Sequence, residues 1–113
     1  MAGDRINRST LAGMILELAD IRVHAGQGDA FEEAISRALA TVMARAQGMR
    51  GYKVNRCIES PERFALQVFW DSVEDHTVGF RQGPLFTEWR AIIGPFFAQP
   101  PHVEHFRLVT KSE

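Results

Sequence analysis

Four histidines are the side chains of this sequence best suited to acid–base chemistry, because imidazole titrates close to neutral pH. His76 is the first candidate for a general base, since it stands at the start of a predicted helix; the alternative is that it caps or supports that helix. His105, beside Phe106, is the second candidate, and its alternative is a buried structural histidine. His24 ends a strand at a glycine turn, where we expect it to be solvated.

Metal binding is the other chemistry that histidines support, and their spacing argues against it. His102 and His105 are three residues apart, which places them on one face of a helix but on opposite faces of a strand. Neither His24 nor His76 has a carboxylate at a ligand-like spacing. We therefore expect no metal site.

The second half of the chain is rich in aromatic residues and carries two arginines on predicted helices. Most of the aromatic side chains are expected in the core, but a planar ligand would need two or three of them as walls. Trp70, Phe80 and Trp89 are the candidates for these walls. Arg81 and Arg90 are candidates for binding an anionic substrate oxygen or superoxide; the alternative is an ordinary surface position.

Composition excludes several classes of partner. The 113 residues contain 13 Lys and Arg against 14 Asp and Glu, a net charge of -1, so the chain lacks the basic surplus that nucleic acid or an anionic membrane attracts. Cys57 is the only cysteine, which excludes an internal disulfide and a CxxC motif. No secretory leader and no apolar run of about 18 residues is evident, so we expect a cytoplasmic protein without a membrane partner.

The first half of the chain predicts a strand followed by a long helix. Residues 1–13 show no period and are expected to form a flexible leader, with a single domain over residues 14–110. Met14–His24 alternates in its second half and predicts the first strand. The helix that follows has a continuous apolar stripe, formed by Phe31, Ile35, Ala38, Leu39, Val42 and Ala46.

Capping residues set the expected limits of this helix and of the next one. Asp29 is the predicted N-cap of the long helix, with Glu32 as its capping-box partner, and Gly48 is its predicted C-terminal cap. Ser72 and Asp75 resemble a second capping box, which would open a short helix that extends to residue 80.

The remaining elements complete a split βαβ order. Tyr52–Ile58 and Phe64–Trp70 alternate and are joined by a short polar connection, which predicts an antiparallel hairpin. Pro84 is well placed to begin a helix, whose apolar stripe is Leu85, Phe86, Trp89, Ile92 and Ile93. Val103–Val109 predicts a last strand. The order β-α-β-β-α-β is that of an α+β, ferredoxin-like domain with helices on one face of a four-stranded antiparallel sheet.

The other face of such a sheet needs a cover. Apolar residues predicted on it are Leu16, Leu18, Ala65 and Phe69. Packing of two sheets in a homodimer is the expected solution.

Several segments resemble the antibiotic biosynthesis monooxygenase family. The similarity lies in Phe69–His76, Gly79–Phe86, Trp89–Arg90, Val103–Phe106 and the turn at Gly26–Phe31. The resemblance implies a dimeric α/β barrel with a pocket between each sheet and its own helices. It also implies a choice of activities. Some members of the family are small oxygenases that convert polyphenolic polyketides to quinones without metal or flavin, and others degrade haem or act on quinols or signalling aldehydes.

Haem degradation is not expected for this chain. The haem-degrading members use an Asn, a Trp and a His, and the resemblance places these near Ala19, Phe80 and Arg90, none of which matches. The predicted function is therefore a cofactor-independent monooxygenase that oxidises an aromatic, polyphenolic or quinol-type molecule with dioxygen. The alternatives are a non-catalytic domain that binds a small ligand or an assembly partner, and a decarboxylase- or isomerase-like enzyme, since one fold hosts unrelated reactions.

Overall fold

Strands and helices follow one another in the order that the sequence predicts. The computed structural model describes residues 13–112, so the expected leader lies almost wholly outside the described residues. The elements are β1 (Ile15–Arg22), α1 (Gly28–Thr41), β2 (Met49–Arg56), β3 (Arg63–Trp70), a π-helical segment (Asp75–Phe80), α2 (Pro84–Ile93) and β4 (His102–Arg107). Short 3₁₀ turns, Met43–Arg45 and Gly94–Phe96, follow the two α-helices.

The four strands form one antiparallel sheet in the order β2-β3-β1-β4. This arrangement confirms the predicted ferredoxin-like fold and the hairpin of β2 with β3. The last strand is shorter than predicted and ends at Arg107, because its partner β1 begins at the paired residue Ile15. The second strand begins at Met49, three residues before the predicted start, because β3 extends far enough to pair with it.

The predicted capping of α1 is wrong at both ends. The helix begins at Gly28, and its N-cap residue, Gln27, makes no side-chain capping hydrogen bond. Asp29 instead accepts a hydrogen bond from Arg56 at 2.7 Å, so its carboxylate is directed toward β2. The helix ends at Thr41, well before Gly48. Gly48 does adopt a left-handed φ of 83°, but in the turn that enters β2, where a Cβ would collide with the side chain of Asp75.

The alternation along each strand separates the sheet into two unlike faces. The inner face packs against α1 and α2, and its central side chains on β1 and β3 are Ala19, Ile21, Phe64, Leu66, Val68 and Trp70, all buried. The opposite face carries Leu16, Leu18, Ala65 and Phe69, as predicted, and each of these is only partly buried. No helix within residues 13–112 is both long and apolar enough to cross a membrane.

Candidate active site

A cavity of about 470 Å³ lies between the inner face of the sheet and the second helical region. Its floor is formed by β1, and its sides by the π-helical segment, α2 and the segment that leads into β4. Most of its lining is apolar or aromatic, and the polar side chains are Glu17, His76, Arg81 and Arg90. Such a combination of apolar walls with a few polar groups is typical of small-molecule sites.

His76 enters this cavity from the π-helical segment. One half of the predicted capping box is present, since the backbone N–H of Asp75 donates to Ser72 Oγ at 3.1 Å. The Asp75 carboxylate accepts a hydrogen bond from the Ser72 hydroxyl, also at 3.1 Å. The N–H of Arg81 donates to the carbonyl oxygen of His76, five residues back, at 2.9 Å. Such π-bulges occur frequently at functional sites. Glycine is required between this segment and α2, because a Cβ at Gly83 would lie 2.7 Å from the backbone oxygen of Gly79.

The imidazole of His76 is only 3% exposed and is hydrogen-bonded to a second histidine. Its Nδ1 lies 2.8 Å from Nε2 of His105, so one proton is shared between these two nitrogens. Its ring also stacks on Trp70, with 5.3 Å between ring centroids. The structure therefore brings together the two histidines that the sequence singled out.

Glu17 is the third member of this cluster, and the sequence analysis missed it. It is paired across the sheet with His105 and is 5% exposed. Trp70 Nε1 donates a hydrogen bond to Glu17 Oε1 at 2.9 Å, and the same oxygen lies 3.4 Å from His76 Nε2. The alternation along β1 could have revealed this carboxylate. Residues two apart on a strand lie on the same face, so Glu17 faces the helices as the buried Ala19 does.

Burial disfavours the charged form of both side chains in the Glu17–His76 pair. It raises the pKa of the Glu17 carboxyl, although the Trp70 N–H and the charge of Arg81 act in the opposite direction. Burial lowers the pKa of His76 to about 4, with smaller contributions from Arg81 and His105. The pKa of His105 is lowered for the same reasons, burial first and Arg81 second. His76 is thus neutral at pH 7, and its 3.4 Å contact with Glu17 is not an ion pair.

Two arginines line the cavity beside the aromatic residues. Arg81 is close enough to Glu17 and to both imidazoles to act on their titration. The guanidinium of Arg90 lies over the rings of Phe86 and Phe97, 5.8 Å from each centroid. Within residues 13–112, neither arginine makes a salt bridge with a carboxylate. Their positive charges are therefore available to an anionic ligand.

Residues 14–92 match the sequence model of the antibiotic biosynthesis monooxygenase family. This chain belongs to that family. A proposed antibiotic biosynthesis monooxygenase from Bordetella bronchiseptica has a crystal structure with 43% identity, which covers 87% of this chain and 99% of that one with a TM-score of 0.82. An uncharacterised Bacillus subtilis protein, YczJ, is 34% identical over 85% of this chain and its own full length.

More distant members of the structural group share the fold alone. SnoaB from Streptomyces nogalater, described as a cofactor-independent oxygenase, is 17% identical, with a TM-score of 0.66 over 90% of this chain and 97% of that one.

The cavity lining also includes the three positions that were compared with the haem-degrading branch of the monooxygenase family. These are Ala19, Phe80 and Arg90.

The other predicted residues of this family member are divided between the cavity and its surroundings. Phe80 and Trp89 line the cavity, whereas Trp70 is fully buried behind Glu17 and is not among the lining residues. His24 is exposed, and His102 contacts Glu104 at 3.1 Å on the face of the sheet opposite to His105. Within residues 13–112, no three His, Cys, Asp or Glu side chains are arranged to hold a metal ion.

Proposed function

We propose that this protein is a cofactor-independent monooxygenase that oxidises an aromatic, polyphenolic or quinol-type molecule with dioxygen. The observation that carries the proposal is a buried imidazole, His76, which faces an aromatic cavity and is hydrogen-bonded to a second imidazole, His105. Membership of the monooxygenase family supports the same class of reaction. The cofactor-independent oxygenase SnoaB shares the fold and offers a parallel for this chemistry.

The chemistry requires little more than a base, a dry cavity and a bound substrate. Removal of a proton from an electron-rich CH₂ or OH group gives an anion, which passes an electron to dioxygen. The radical and superoxide then combine to a peroxide, and loss of water leaves a carbonyl group. For a CH₂ group the balance is CH₂ + O₂ → C=O + H₂O. Apolar walls favour this sequence because they exclude water that would compete for the anion.

The cavity offers matching contacts for a planar, electron-rich ligand. Phe80 and Trp89 form walls against which an aromatic ring would pack. Arg81 lies near the Glu17–His76 end, where it would stabilise an anionic oxygen of the substrate or superoxide. Arg90 would bind an anionic group beside Phe86 and Phe97. Trp70 acts on the ligand only through Glu17 and His76, which it contacts.

A homodimer through the open face of the sheet is part of the proposal. The face carries a groove lined mainly by apolar residues, which are Met14, Leu16, Leu18, Phe69, Phe106, Leu108 and Val109. Phe106 and Val109 are 43% and 82% exposed. A contiguous apolar patch of this kind usually marks an interaction surface. The open faces of two identical sheets would cover each other around a twofold axis.

Oxygen uptake with a panel of hydroxyanthrones and quinols tests the proposed activity. The purified protein should consume one molecule of dioxygen for each quinone formed, as followed with an oxygen electrode and by absorbance. The His76→Gln variant should lose most of this activity, whereas His24→Gln, at an exposed position, should keep it. Binding of a panel member without oxygen uptake would instead establish a non-catalytic ligand-binding domain.

A further inference from the structure

Building on the proposed oxygenase function, we infer that Glu17 is the group that takes the proton from the substrate and later returns it to the peroxide. His76 and His105 are positioning residues that hold the Glu17 carboxylate and fix its hydrogen bonding. The Glu17 side chain lines the cavity, is almost fully buried, and has its Oε1 atom held by Trp70 Nε1 at 2.9 Å. A base needs a fixed position of this kind against the reacting atom.

Packing does not explain a carboxylate at position 17. The next inner-face residues of β1, Ala19 and Ile21, are apolar and equally buried, as the core of a sheet requires. Within residues 13–112, no Lys or Arg forms an ion pair with Glu17, and the imidazole 3.4 Å from its carboxylate, that of His76, is neutral at pH 7. A buried carboxyl group without a cation partner destabilises the fold. Perturbed groups of this kind cluster at functional sites.

The electrostatics favour the carboxylate over the imidazole as proton acceptor. Burial raises the pKa of Glu17, which makes its carboxylate a stronger base and brings it nearer to working pH. The same burial lowers the pKa of His76 to about 4, which makes its imidazole a weaker base. The charged or titratable groups that face Glu17 are His76 from the π-helical segment, His105 from β4, and Arg81.

One carboxyl group suffices for all the proton transfers of this reaction. The Glu17 carboxylate removes a proton from the substrate CH₂, and the electron pair of that C–H bond stays on carbon. The carbanion gives one electron to dioxygen, and the two radicals combine through a new C–O bond. Glu17 then donates its proton to the peroxide anion. As the O–O bond breaks and C=O forms, the carboxylate removes the second proton of that carbon and passes it to the departing hydroxide, which leaves as water. The carboxylate is regenerated without exchange of protons with bulk solvent.

The two imidazoles fix the hydrogen bonding of this carboxylate. When Glu17 is ionised, the proton on His76 belongs on Nε2, which is directed toward Glu17 Oε1. His76 Nδ1 then accepts a hydrogen bond, and His105 Nε2 is its donor at 2.8 Å. His105 thereby determines the tautomer of His76, as the outer partner of a histidine commonly does. A substitution of either imidazole should weaken the base without abolishing it.

The decisive comparison is between Glu17→Gln and Glu104→Gln, a matched change at an exposed position of the sheet. Glutamine keeps an acceptor for Trp70 but cannot take a proton. We expect Glu17→Gln to lower kcat/KM by about 10²–10⁴-fold, while its urea midpoint stays equal to or above that of the wild type. Glu104→Gln should leave both unchanged. Activity of Glu17→Gln within about threefold of the wild type would overturn the inference.

The pH profile gives a second measurement that does not depend on the folding of Glu17→Gln. The wild-type kcat/KM should fall on the acid side with an apparent pKa above the ordinary carboxyl value of 4.5. His76→Gln should lower kcat/KM yet keep an acid limb, because Glu17 still titrates. Loss of that limb in His76→Gln would assign the base to the imidazole instead. If the wild type consumes no oxygen with any substrate, the proposed function fails before this question arises.

Discussion

The two faces of the sheet carry different chemistry, although their residues alternate along the same strands. On β1, Glu17 is buried against His76 and beside His105, whereas its neighbours Leu16 and Leu18 lie on the open face in an apolar groove. The buried carboxyl–imidazole pair, Glu17 and His76, is thus on the face that the chain's own helices cover. At the end of the groove remote from Phe106, the open face instead carries an ion pair between Asp20 and Arg63.

This difference indicates what each face is for. When another surface covers an exposed apolar patch, the free energy falls by about 25 cal/mol for each Å² of apolar surface removed from water. A buried carboxyl–imidazole pair loses free energy by its burial. The first feature therefore favours association, and the second supports the proposed catalytic role of this pair. Substitutions on the two faces should have correspondingly different effects.

The largest effect is expected from a charge on the open face. In a symmetric dimer the Phe69→Asp substitution is present on both sides of the interface. It should therefore weaken dimerisation by about 4 kcal/mol, roughly a thousandfold in Kd. Ile58→Asp, at a residue that is 90% exposed in the β2–β3 connection, is the control and should leave the dimer intact. Sedimentation velocity at micromolar concentration measures both. A monomeric wild type would remove the proposed role of this face.

Acid should destabilise the protein through His76. Its folded pKa of about 4 lies below the ordinary 6.5, so the unfolded chain binds more protons between these values and stability is lost as pH falls. The full effect is about 3 kcal/mol, of which about 2 kcal/mol falls between pH 7 and 5. Burial of Glu17 acts with the opposite sign, so the wild type must be compared with His76→Gln at each pH.

Urea unfolding at pH 7 and 5 measures this linkage. The stability difference between wild type and His76→Gln should shrink by about 2 kcal/mol on acidification. His102→Gln, a change at an exposed histidine on the other face, should follow the wild type at both pH values. An unchanged difference between wild type and His76→Gln would show that His76 is not buried in its neutral form.

Loss of the hydrogen bond from Trp70 should have a smaller effect on stability. Trp70→Phe keeps an aromatic ring against His76 but removes the N–H that Glu17 Oε1 accepts. We expect a loss of about 2 kcal/mol at neutral pH, because the remaining buried carboxyl has one donor fewer. The acid limb of kcat/KM should move to higher pH, since this donor lowers the pKa of Glu17. If Trp70→Phe changes stability but leaves the acid limb of the kcat/KM profile at the same pH, Trp70 does not influence the catalytic group.

The smallest effect is expected from the arginine beside Phe86 and Phe97. Arg90→Gln should weaken binding of 2-naphthoate about tenfold, or about 1.4 kcal/mol, and leave binding of the neutral naphthalene-2-carboxamide unchanged. Quenching of Trp89 fluorescence reports occupancy, because this residue lines the cavity. Arg37→Gln, an exposed arginine on α1, is the control. Equal losses for both ligands would indicate lost packing instead of lost charge.

Local patterns predicted the fold well because each depends on residues close in sequence. Alternation in β1 and β3 identified both strands and the apolar open face, and Ser72 accepts the hydrogen bond from the Asp75 backbone that the capping box predicts. The prediction failed at Asp29, where Arg56 of β2 binds the carboxylate that was expected to cap α1. That competing partner is 27 residues away and no local rule contains it.

The sequence by itself determined the order of the elements and the face on which each strand residue lies, because period two and helical stripes are local properties. It also identified His76 and His105 as titratable groups near aromatic residues. Only the tertiary structure decided that Glu17 joins them. Strand register sets Glu17 opposite His105, and the π-helical segment brings His76 into contact with Glu17, His105 and Trp70. Both arrangements depend on contacts between residues far apart in the chain, which no spacing along the sequence specifies.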